Sequence, residues 1–137
     1  MSNGFIINGR LPSLNEYIAQ CRIHPQKGAK FKREWQQQVE YDILIAKSKK
    51  WLTGLNKAVI VHFKYFEKTY KRDLDNVSSF AHKVILDGLV QMGILPNDTQ
   101  KWVKGFTDTF YHSDKEKIIV ILEEIEDDTD SGTSKPV

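Results

Sequence analysis

The chain has 137 residues, 40% of them hydrophobic, and a net charge of +2, enough for one domain with a self-sufficient core. Its single cysteine, Cys21, excludes an internal disulfide, no Cys/His spacing suits zinc, and no apolar run approaches a membrane span of roughly 18–20 residues. The N-terminus lacks the charged-then-apolar layout of a signal peptide, so the expected compartment is the cytoplasm, with no membrane partner.

The small net charge hides an asymmetry. Residues 123–137 hold six acids and one base, leaving 19 bases against 12 acids, or +7, in residues 1–122. The bases cluster at Lys27/Lys30/Lys32/Arg33, Lys47/Lys49/Lys50 and Lys68/Lys71/Arg72, as suits a surface that attracts a phosphate backbone.

Phe5-Ile6-Ile7 predicts a short strand, which Gly9-Arg10-Leu11-Pro12 ends. Ser13 is placed to cap a short helix, with Glu16 completing a capping box. Residues 23–29 break the pattern, and Phe31, Trp35, Val39, Ile43 and Ala46 then predict a long helix over 31–48. The β-branched and aromatic run 57–67 predicts a strand. A mostly apolar helix follows over 77–92, then strands over 102–111 and 117–125. Residues 126–137, polar and without periodicity, predict a disordered tail. The order β-α-α-β-α-β-β predicts an α+β fold: one small domain over 1–125, a mixed sheet covered by helices.

Within this frame Arg72-Asp73-Leu74-Asp75-Asn76 carries the most chemistry. Read as extended chain, Asp73 and Asp75 project to one side while Leu74 turns towards the core. Asn76 then caps the next helix, whose positive end favours negative charge beside it. Two adjacent carboxylates repel each other unless a cation sits between them, and hard oxygen donors select magnesium or manganese. A calcium loop starting at Asp73 is excluded by Val77, Ser78 and Val84. Lys83 and Asp87, one turn apart on a mostly buried helix, are either a structural ion pair or a phosphate-binding lysine with Asp87 beside it or beside the metal. Asp98, in the turn Pro96-Asn97-Asp98, is either ordinary turn chemistry or a third donor, if the chain doubles back.

The whole pattern is more specific than its parts. Asp73-Leu74-Asp75-Asn76, then Lys83-x-x-x-Asp87-Gly-Leu, then Gly93-x-x-x-Asn97-Asp98-x-Gln100 resembles the RusA family of Holliday-junction resolvases, commonly encoded by phages and prophages. Leu11-Pro12-Ser13-Leu14-Asn15-Glu16-Tyr17 resembles the family's N-terminal Pro/Asn motif, and together the segments cover about residues 4–124. The resemblance implies a homodimer that resolves four-way DNA junctions by magnesium-dependent cleavage, in recombination and repair. Asp73, Asp75 and Asp98 would be the catalytic, metal-binding acids and Lys83 the active-site lysine; from their positions beside these groups, rather than from the resemblance, Asp87 and Asn76 are expected to support the site. Manganese could replace magnesium, and no small-molecule substrate is implied.

The interval after the acid pair is about one helical turn longer than in the family's best-known form. Counted from Asp75 the lysine position falls on Ser79; counted from Asp87 it falls on Lys83, which keeps the lysine–aspartate spacing. Lys30, Lys32, Arg33, Lys71 and Arg72 are expected to contact DNA phosphates, which position the duplex without reading its sequence. The competing expectations are a junction-binding protein without activity and a magnesium nuclease of other branched DNA.

Overall fold

Alternation decides the sheet. From Val59 to Glu67 every second residue (Val59, Val61, Phe63, Tyr65, Glu67) is buried and those between are half-buried, the period of a strand covered more deeply on one face. The same rhythm buries Ile118, Val120 and Leu122. In this computed structural model, which describes residues 3–126, the elements are β1 (Gly4–Asn8), α1 (Leu14–Ile23), α2 (Pro25–Ser48), β2 (Val59–Glu67), α3 (Leu74–Gln91), β3 (Val103–His112) and β4 (Lys117–Glu124). The fold is α+β, three helices and one mixed four-stranded sheet in the order β1-β4-β2-β3. β4 runs antiparallel to β1 and β2, while β2 and β3 are parallel. From residue 127 onward the expected tail lies outside the described residues.

The capping box of α1 is present: Ser13 Oγ accepts from the Glu16 amide and the Glu16 carboxylate accepts from the Ser13 amide. α2 starts at Pro25, six residues before the apolar spacing suggests. Proline at the first helical position has no amide bond to lose, and His24 caps the helix by accepting the Gln26 amide at 3.1 Å. Gly28 lets α2 lie against α1, since a Cβ there would sit 2.3 Å from Cys21 Sγ.

Tyr17 of α1, Phe31 of α2 and Phe80 of α3 join the three helices, with ring centroids 5.3–6.4 Å apart. Below them Val77, Ala81, Val84, Ile85 and Leu89 share one core with Phe5, Val61, Phe63 and Val120. Because β2 and β3 are parallel, α3 must carry the chain back from the end of β2 to the beginning of β3. Its 18 residues span about 27 Å at 1.5 Å per residue, and Ile94 beyond its exit bonds Leu55 just ahead of β2. The two ends of α3 therefore lie at opposite ends of the sheet. Among the described residues no helix is long and apolar enough to cross a membrane.

Candidate active site

α3 begins three residues earlier than the sequence suggests, and this changes the acidic segment. Asp73, not Asn76, is the N-cap residue. Asp73 Cα is extended (φ −65°, ψ 136°) and its carbonyl accepts the Val77 amide at 3.0 Å, yet its carboxylate makes no capping bond. Asp75 lies in the first turn, so the strand-like alternation expected for the pair does not apply. Leu74, expected in the core, is 58% exposed. Both carboxylates are exposed, at the end of the helix where the dipole stabilises negative charge.

Asn76 has a different task from capping its own helix. Its Oδ1 accepts the Asn15 amide at 2.9 Å, one of the unpaired donors of the first turn of α1. Arg72 adds a second tie, donating Nη2 to the Leu11 carbonyl at 3.0 Å and Nη1 to Glu67 Oε2 at 2.8 Å. The segments Leu11–Tyr17 and Arg72–Asn76, some 60 residues apart, are thereby locked side by side. Between them lies an open groove of about 620 Å³, lined by Leu14, Asn15, Asp73, Leu74, Asp75, Asn76 and Ser79.

The other expected residues divide. Asp87 does not pair with Lys83; it binds Lys32 Nζ at 2.6 Å, and Lys32 also donates to Gln36. Lys83 is exposed, eight residues beyond Asp75 on one stripe of α3, about 12 Å along the axis. Ser79, the alternative position for the lysine, is the one that lines the groove. Asp98 is exposed in the turn after α3, at the opposite end of the molecule from Asp73 and Asp75. One chain does not bring the three acids together, because the parallel crossover separates them by the length of α3. Among the described residues no three His, Cys, Asp or Glu side chains stand close enough to share a metal ion. The neighbouring Asn97 side chain is committed to the turn, accepting from Thr99.

Of the expected phosphate contacts, Lys71 and Arg33 are exposed, and Lys30 is exposed while paired with Glu34 at 3.8 Å. Lys32 and Arg72 are part-buried and engaged in ion pairs, with Asp87 and Glu67 respectively.

Two polar clusters escaped the sequence reading. Glu67 is 6% exposed and held by Arg72; burial pushes its carboxyl up, and the Arg72 charge opposes that shift. Against α3, Asp108 Oδ1 is bonded by His82 Nε2 and by the Tyr65 hydroxyl, both at 2.8 Å. Burial, then the Asp108 charge, pushes the Tyr65 hydroxyl far up. Strand register makes this second cluster: Tyr65 and Asp108 come from neighbouring parallel strands, which no local spacing reveals.

Asp73 and Asp75 suit magnesium by their chemistry. That ion is commonly held by one or two carboxylates, keeping its remaining positions for water and substrate phosphate. Neither a comparison with protein-family models nor one with curated proteins finds a match to this chain.

Proposed function

We propose that the protein is a magnesium-dependent endonuclease of branched DNA, with the four-way junction as its main substrate, acting as a homodimer in the manner of the RusA family. One observation carries the reading. The two segments that resemble the family's motifs, distant in sequence, form the two walls of one groove that presents a pair of exposed carboxylates.

The chain's own residues then have defined parts. Asp73 and Asp75 would hold the metal, which supplies Lewis acidity towards a phosphodiester when bound. Asn76 and Arg72 fix the acid-bearing turn against α1, which sets where the two carboxylates stand. Lys83, a turn beyond Ser79, neutralises charge on a phosphate lying along the α3 stripe. The +7 charge of residues 1–122 draws the backbone in. Asp98 can join such a site only from a second copy, and a two-fold dimer also offers two sites to the two opposed strands of a junction.

The test is a synthetic four-way junction with magnesium, cut by the wild type and by Asp75→Asn. Paired nicks are expected from the wild type, and binding without cutting from the variant. Cutting by the variant at the wild-type rate, or cutting in excess EDTA, would sink the proposal. Flap and duplex competitors report which branched form is preferred. Mixed dimers of Asp75→Asn with Asp98→Asn regain one nick if the partner supplies Asp98. They stay inactive if Asp98 acts within its own chain.

A further inference from the structure

A second, smaller cavity adjoins the acidic groove. It measures about 100 Å³ and lies between the loop after β2 and the last residues of β3. Tyr70 and Phe110 stand on its walls. Tyr70 stacks on His112 (centroids 4.7 Å apart, planes 17° apart), and Phe110 stacks on Tyr65 (4.5 Å, 15°). The loop is pinned here, with Ser113 N donating to the Glu67 carbonyl and His112 Nε2 at 3.0 Å from the Lys68 carbonyl.

Three features define the slot. Tyr70 is 83% exposed, a large aromatic face kept in water just ahead of Asp73. The inner end of the slot is polar. Glu67, 6% exposed, lines it and engages Arg72 through Oε2, which leaves Oε1 without a hydrogen-bond partner among the described residues. Thr69 Oγ1 accepts the Lys71 amide and so keeps its proton to donate. Finally, Leu74 lines both this slot and the acidic groove, so the two share a wall.

We propose that this slot receives one unpaired nucleobase of the strand whose backbone lies in the acidic groove. The base would lie against the Tyr70 ring and meet Glu67 Oε1 and the Thr69 hydroxyl with its hydrogen-bonding edge. Flat aromatic walls serve any base, because every base has a π-face. The polar end suits the hydrogen-bonding edge that a base exposes only when it is out of its pair. At about 100 Å³ the room suits a single base rather than a pair. The inference rests on the nucleic-acid reading of the neighbouring groove, and it adds that the substrate carries an unpaired nucleotide at or beside the point of cutting.

The test uses the full chain in EDTA, so that cutting plays no part. Four-way junctions and single-stranded oligonucleotides carry 2-aminopurine, or an abasic site, at successive positions near the branch. A change in 2-aminopurine fluorescence at one position is expected on binding, with binding weakened about tenfold when that position is abasic. Tyr70→Ala should remove both effects, and Tyr70→Phe should restore them. Because Tyr70 is exposed, the alanine variant keeps the fold, which circular dichroism checks. Equal affinity for abasic and intact DNA, or a Tyr70→Ala variant that binds as the wild type does, would overturn the slot. A slot that still takes 2-aminopurine while magnesium-dependent cutting is absent would leave this inference standing and remove the nuclease.

Discussion

Replacing Arg72 by methionine separates a structural arginine from a DNA-binding one. The side chains of Arg72 and Glu67 are 13% and 8% exposed, so the substitution strands a carboxylate with little water to solvate it. Breaking one side of a buried pair costs about 3–5 kcal/mol, a large part of a typical domain's stability of roughly 5–15 kcal/mol. The lost bond to the Leu11 carbonyl falls within that range. The cost depends on pH in a defined direction. Burial already raises the Glu67 carboxyl, and Arg72 holds it down; without Arg72 it rises further. A carboxyl whose folded value lies above its unfolded one stabilises the fold at low pH and loses that contribution as pH rises through the folded value. The variant's deficit should therefore be largest at neutral pH and smaller near the ordinary carboxylate range. Urea unfolding at about pH 4.5 and about pH 7.5 measures it from the shift in midpoint. Adding Glu67→Gln should recover most of the loss, since no buried charge is then stranded. A deficit under about 1 kcal/mol, the range of exposed pairs, or an equal deficit at both pH values, would refute the argument and return Arg72 to the DNA-binding set.

Two further stability predictions follow from single positions. Gly28→Ala places a Cβ 2.3 Å from Cys21 Sγ and 3.0 Å from Cys21 Cα. Thermal unfolding should show about 1–3 kcal/mol of overpacking, partly relieved by Cys21→Ala; a stabilised variant would mean the helices separate freely. Asp42, half-buried on α2, has its carboxyl pushed from 3.8 up to about 6 by burial. Its contribution is present below 3.8 and is lost as pH rises towards about 6. Asp42→Asn should therefore gain melting temperature at pH above 6 relative to below 4, and a variant that follows the wild-type pH profile would exclude the burial.

The sequence carries the element order because each element announces itself locally. The period-two run of β2 and the Ser13–Glu16 capping box need no tertiary context. Both helix starts that shifted did so at residues with two roles. Pro25 reads as a breaker yet opens α2, and Asp73 reads as a ligand yet occupies the N-cap position of α3, its carboxylate unbonded to the helix. The candidate site was legible only in part, for a topological reason. Spacing along the chain places Asp98 just past the helix that Asp73 begins, and gives no sign that a parallel crossover puts that exit at the far end of the sheet. Lys32 likewise reads as one more surface cation until α2 is laid across α3 and Asp87 claims it. The aromatic slot has no local signature, since its walls come from a loop after β2 and from the end of β3.

The position of β4 bears on how the chain reaches its fold. The last of the described strands lies inside the sheet, between β1 and β2, and its partners in β1 are more than a hundred residues earlier. While the protein is being synthesised, β1 therefore has nothing to pair with until Lys117–Glu124 has emerged. β2, α3 and β3 can assemble before that as a parallel unit whose inner strand lacks a neighbour. Such long-range pairings slow folding, and an unpaired strand waiting for its neighbour is exposed to wrong partners in the meantime. The order of synthesis thus leaves the closing of the sheet, and the seating of β1 just ahead of the groove-lining Leu14 and Asn15, to the end of the process.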